Sequence, residues 1–204
     1  MKKTFLLVWL AIAALVACRK TPNLNSLQNQ QVVVTDRDLE ARFNDYTTYH
    51  ISDTVRILAS DPKDSILVGP IAQQLVETVK SNMNSRGYTF VGNKSGNPQL
   101  GLVLVVLKDV SSSTVCAGWW GGWWGGPWWG WGFYHPWCGS YTYAVGTSVL
   151  SMYDLKNAAS NQNLRAIWGM TAFGVFSTTN NQTNTTLTTN AINQAFNQSP
   201  YIKR

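Results

Sequence analysis

Apolar and polar positions alternate along the chain in a pattern that predicts several strands and two long helices. Val32-Val33-Val34-Thr35 is a β-branched run and predicts an opening strand. Asp38 to Asp45 is a short amphipathic or irregular piece, and Tyr46-Thr47-Thr48-Tyr49 alternates as a second strand. Asp53 to Ser65, with Asp61-Pro62 inside it, is expected to be a polar connection. Val68, Ala72, Leu75, Val79 and Met83, flanked by Ile71 and Val76, form one stripe at helical spacing. Gly69-Pro70 suits the start of that helix and Gly87 its left-handed stop.

Tyr88 to Val91 returns to strand character, and Asn93 to Pro98 is a turn. Leu100 to Leu107 is apolar at almost every position, so it belongs in the middle of a sheet, covered on both faces. Ser140–Tyr153 and Leu164–Phe176 alternate as two more strands, joined by an Asp154–Asn163 connection. Ser177 to Thr185 is a polar, low-complexity loop, and a final helix runs from about Leu187 to Asn197, with Pro200 beyond its end. This order predicts one α+β domain: a mixed, mostly antiparallel sheet with two amphipathic helices packed on it.

The first residues carry an address. Lys2 and Lys3 precede an unbroken apolar run from Phe5 to Val16, which is the pattern of a secretory signal and is short for a membrane span. The run ends in Leu15-Val16-Ala17-Cys18, which resembles a bacterial lipobox. That resemblance implies a signal peptide over 1–17 and a lipidated Cys18, followed by a polar tether to residue 30 and the domain over 31–204. Acyl chains on Cys18 make the membrane its first partner. The protein is thus expected in the cell envelope, lipid-anchored, in the outer membrane facing the periplasm.

Composition narrows the chemistry. The chain has 204 residues, 45% hydrophobic and only 13% charged, which excludes a disordered or collagenous chain. Its formal charge of +6 falls to +4 once Lys2 and Lys3 are removed, and the basic residues are scattered, which argues against nucleic acid. Ten acids and two histidines are a thin supply for acid–base or metal chemistry. No Gly-rich phosphate loop, Ser-centred elbow or paired-carboxylate spacing occurs, so neither cofactor nor enzyme activity is expected.

One segment is unusual. Eight of the ten tryptophans fall within residues 119–137: Trp119, Trp120, Trp123, Trp124, Trp128, Trp129, Trp131 and Trp137, interleaved with glycine. Cys116 and Cys138 bracket this insert, and in an exported protein they are expected to form a disulfide. Closing a loop of that length contributes roughly 3 kcal/mol in the chain-entropy model. A Trp/Gly loop so stapled presents rings suited to lipid headgroups, sugar faces or an envelope protein. An aromatic loop packed on itself, without a partner, is the alternative. An envelope hydrolase or metal-dependent enzyme is the competing reading, using His50 (with Asp53 close in sequence) or the Cys116/His135/Cys138 set. Asp53-Thr54-Val55 and Asp64-Ser65-Ile66 also resemble the O-glycosylation acceptor of Bacteroidetes envelope proteins.

Taken in order, these pieces resemble a bacterial lipoprotein family catalogued as domain of unknown function 4136. The likeness is carried by Phe43 with Tyr46-Thr47-Thr48-Tyr49, Arg86-Gly87-Tyr88, the Leu102–Leu107 strand and the Gly/Trp/Tyr insert. Gly146-Thr147, Asp154, Trp168-Gly169, Ala191-Ile192, Phe196 and Pro200 complete it, so that it spans about 30 to 202. His50-Ile51 and Gln99 depart from the pattern, standing where an aromatic and an acid are expected. The resemblance implies an envelope lipoprotein and transfers no catalytic residue.

Overall fold

In a computed structural model, residues 31–58, 66–92, 96–107, 146–176 and 180–204 are described, together with the backbone of 132–134. The described residues belong to one unit, Gln31–Arg204. Its strands are β1 (Val32–Arg37), β2 (Thr48–Ile51), β3 (Val55–Leu58), β4 (Ile66–Leu67), β5 (Thr89–Phe90), β6 (Leu100–Leu107), β7 (Gly132–Tyr134), β8 (Thr147–Asp154) and β9 (Asn163–Phe173). Helices α1 (Pro70–Ser85) and α3 (Asn181–Gln198) are long, and α2 (Ala158–Asn161) is a single turn.

Three long antiparallel ladders, β1–β9, β9–β8 and β8–β6, form the body of one mixed sheet. The far edge of β6 is shared by two short parallel strands placed end to end, β2 against Leu100–Leu102 and β3 against Val105–Leu107. The far edge of β9 is shared in the same way, by β7 against Asn163–Arg165 and β1 against Trp168–Phe173. The fold is therefore the expected α+β domain with a mixed sheet.

Both long helices pack on one face of the sheet. Leu75, Val76, Val79 and Met83 of α1 join Ala191, Ile192, Ala195 and Phe196 of α3 over Leu102, Leu104, Met152, Trp168 and Met170. Helix α1 starts at Pro70, so Val68, placed in the helical stripe by its spacing, lies before the helix and is exposed. Gly87 ends it at φ 90°, a left-handed conformation that favours glycine, and a Cβ there would press on Arg204 Cβ at 3.3 Å. Gln99 replaces the expected acid without loss of function as an acceptor: its Oε1 takes the Thr47 N–H at 2.7 Å and holds β2 to the start of β6.

Two expectations are corrected. The connection Asp53–Ser65 contains β3, because Val55-Arg56-Ile57-Leu58 is apolar enough to find the open edge of β6 despite the polar residues around it. The polar run Ser177–Thr185 is not all loop, since α3 already begins at Asn181. Asn180 caps it by accepting the Thr183 N–H at 3.1 Å. Thr185 and Thr188 bond back to the carbonyls of Asn181 and Asn184 at 2.7 and 2.9 Å. Those back-bonds satisfy hydroxyls that are buried in the structure, which lets a Thr/Asn-rich stretch serve as a packed helix.

Candidate functional site

The chain turns sharply where β1 ends. Asp38 N donates to Ile167 O at 3.0 Å, which brings the Asp38–Asp45 segment beside the start of β9 and the end of β8. A cleft of about 370 Å³ opens between them, lined by Asp38, Glu40, Arg42, Asp45, Tyr46, Asp154, Lys156, Asn157 and Arg165, among others. Four carboxylates and three cations thus face one space, and three of them, Arg165, Asp38 and Glu40, are engaged with each other.

Arg165 is the centre of one group. Its Nη2 donates to Glu40 Oε2 at 2.8 Å and its Nε pairs with Asp38 Oδ2. The hydrogen bond to Glu40 and the charge of Asp38 raise the guanidinium pKa against the opposing effect of burial. Asp38 Oδ1 also accepts the Glu40 N–H at 3.0 Å, which fixes the turn that presents both acids.

Asp154 is the centre of the other. Its two oxygens accept the Asn157 N–H at 3.0 Å and the Asn157 amide at 2.6 Å. The buried Tyr46 hydroxyl faces it, and burial first, then the Asp154 charge and hydrogen bond, push the Tyr46 pKa well above the ordinary phenol value. Lys156 reaches across to Asp45 O at 2.9 Å. These are groups suited to holding polar, hydroxyl-bearing or charged ligands by hydrogen bonds, with no serine, cysteine or histidine nucleophile in the lining set apart from the hydroxyl of Ser160. Among the described residues no group of three or more His, Cys, Asp or Glu could hold a metal ion.

His50 lies elsewhere, on β2. It is buried, its Nδ1 is 2.8 Å from Val91 O, and its ring stacks on Phe90 with centroids 6.1 Å apart. Its ring face and one nitrogen are thereby tied to the β5 end of the sheet, while Asp53 is exposed. Cys18, Cys116, His135, Cys138 and all eight tryptophans of the insert lie outside the described residues, as does Asp64-Ser65. Sequence reasoning did not find the cleft. Arg165 is far along the chain from Asp38 and Glu40, and the β1–β9 pairing brings them together.

A single α+β domain with both long helices on one face and a charged cleft at the end of the sheet is the class defined by these observations. Residues 33–201 match the family described as Domain of unknown function (DUF4136), and the chain belongs to that family. A crystal structure of a DUF4136 family protein from Bacteroides thetaiotaomicron is similar, with 28% identity and a TM-score of 0.69 over 85% of this chain and 97% of that one. A PelC dodecamer from Paraburkholderia phytofirmans is similar at 13% identity and a TM-score of 0.41, over 85% of this chain and 99% of that one. No protein of curated function matches the chain.

Proposed function

We propose that this DUF4136 protein is a lipid-anchored envelope lipoprotein, held in the outer membrane through Cys18 and facing the periplasm, whose domain is a non-catalytic binding module. The observation that carries the reading is Leu15-Val16-Ala17-Cys18 at the end of a charged, then apolar leader. The non-catalytic part is supported by the cleft, where Arg165 is engaged by Asp38 and Glu40 and Asp154 by Asn157, and by His50, whose ring is bound into the sheet.

The contact is assigned to the Trp/Gly insert and its eight indole rings. A polar stretch of residues 19–30 spans about 20 Å on average as a random coil, so the headgroup layer is the nearest partner for indole rings. A glycan or an envelope protein would be met by the same aromatic surface.

Two measurements test this. Cys18→Ser should release the protein from the membrane fraction, and retention of a fully processed product would remove the lipid anchor. Residues 19–204, oxidised, should show a saturable blue shift of tryptophan emission with lipid vesicles. That shift should vanish when Trp123, Trp124, Trp128 and Trp129 become Ala, whereas an unchanged spectrum with the wild type would retire the membrane contact.

A further inference from the structure

The cleft between the Asp38–Asp45 segment and the end of β8 has walls that discriminate among ligands. With four carboxylates against three cations, it is close to neutral as a whole. An anionic ligand would be brought up to all four carboxylates, and a cationic one to Arg42, Lys156 and Arg165. Neither sign of charge is favoured. The lining is also mostly polar, unlike the apolar pockets that take greasy ligands, and Ala41 and Ile167 are its only aliphatic members.

The buried part of the cleft is organised in advance. Asp38 and Asp154 are 8% and 7% exposed, the first held by Arg165 and the second by both nitrogens of Asn157. A ligand therefore does not have to order these groups, which lowers the cost of binding. Around them lies hydrogen-bonding capacity that the fold leaves unused. Among the described residues, the side chains of Arg42, Asp45 and Asn161 have no hydrogen-bond partner. Glu40 uses Oε2 on Arg165 and keeps Oε1, and Lys156 gives one of its three protons to Asp45 O. Donors and acceptors thus stand side by side across one opening.

We propose that this cleft is a binding site for a neutral sugar unit, whose hydroxyls are shared between the carboxylates of Asp45 and Glu40, the cations Arg42 and Lys156, and the Asn161 amide. A hydroxyl donates once and accepts twice, so a ring bearing several of them matches interleaved donors and acceptors as no singly charged group does. A carboxylate accepting from a hydroxyl and a guanidinium donating to one also make the stronger, charge-assisted kind of hydrogen bond. The volume of about 370 Å³ is at the small end of ligand sites and suits a compact ligand. The Asp154–Asn163 link contributes through its Asn and Ser content, since α2 places Asn157, Ser160 and Asn161 on one wall without adding charge. This goes beyond the function proposed above and rests neither on the anchor at Cys18 nor on the Trp/Gly insert.

Titration of ¹⁵N-labelled residues 19–204, oxidised, tests it, because this piece holds the whole folded unit Gln31–Arg204. The probes are glucose, galactose and N-acetylglucosamine, with glucosamine, glucuronate and acetamide as controls. At least one neutral sugar should shift the amides of residues 38–46 and 154–165 saturably. The cationic sugar, the anionic sugar and the hydroxyl-free amide should act several-fold more weakly. Asp45→Asn with Asn161→Ala changes two exposed side chains and should weaken the sugar several-fold with the remaining spectrum unchanged. Replacing Trp123, Trp124, Trp128 and Trp129 by Ala should leave these shifts in place, which separates the cleft from any sugar contact of the insert. Absence of saturable shifts in the cleft with all three neutral sugars would overturn the proposal. So would a preference for a charged sugar or for acetamide, or full affinity in the Asp45/Asn161 variant.

Discussion

The indole Nε1–H of Trp168 donates to Ser199 Oγ at 2.9 Å, and both residues are buried. Trp168 sits in β9, its ring against Phe196 of α3 with centroids 5.1 Å apart. Ser199 closes α3, and Tyr201 from the tail donates to the same oxygen at 3.2 Å. One hydroxyl therefore joins the sheet, the helix end and the C-terminal tail. Ser199→Ala leaves the indole N–H without an acceptor in an apolar setting. The expected cost is about 1–3 kcal/mol, read as a lower urea midpoint at unchanged slope.

The Arg165 contacts in the cleft should divide unequally. Asp38 is buried and Glu40 has an 80% exposed side chain, so losing the cation matters mainly to Asp38. Arg165 is itself partly exposed, which screens the pair. Arg165→Met is expected to cost about 1–2 kcal/mol, and Glu40→Gln no more than about 0.5 kcal/mol. In a double-mutant cycle, Arg165→Met with Asp38→Asn should cost less than the sum of the two. Strict additivity by denaturant unfolding would show that the buried carboxylate does not depend on this guanidinium.

Three tyrosines should make the fold sensitive to alkali. Burial pushes Tyr88 up to about 12, while its hydroxyl donates to Phe43 O at 2.9 Å. Burial also raises Tyr49, which donates to Asn84 Oδ1 at 2.9 Å, and it raises Tyr46 together with the Asp154 charge. In the unfolded chain these phenols ionise near 10, so between about pH 10 and 12 the folded state holds more protons and loses stability as pH rises. The stability they contribute is complete below pH 10. Phenolate absorbance followed with circular dichroism should show these three ionising only as the fold is lost. Ionisation of all eight tyrosines in a native-like protein would contradict it.

Helix α1 was legible because its stripe has helical spacing and its ends carry Pro70 and Gly87, all local signals. The central place of β6 was legible because every one of its residues is buried, as an apolar run without alternation requires. Strand β3 was hidden because four residues between polar neighbours have too little pattern to stand out. The first turns of α3 were hidden because Thr and Asn favour loops in isolation, and their burial depends on what packs against them. The cleft left one trace in the chain, the acids Asp38 and Glu40 directly after an opening strand, with no sign of Arg165 as their partner.

Side-chain periodicity and capping residues are properties of a few consecutive positions, and they decide the class of this domain, its two long helices and the strand at the middle of its sheet. Strand pairing is different, because every strand offers the same backbone donors and acceptors to any neighbour. That β2 and β3 share one edge of β6, and β7 and β1 one edge of β9, was settled only by the packing of the whole chain. The β1–β9 register then set Asp38 against Arg165, more than a hundred residues apart, and so made the cleft.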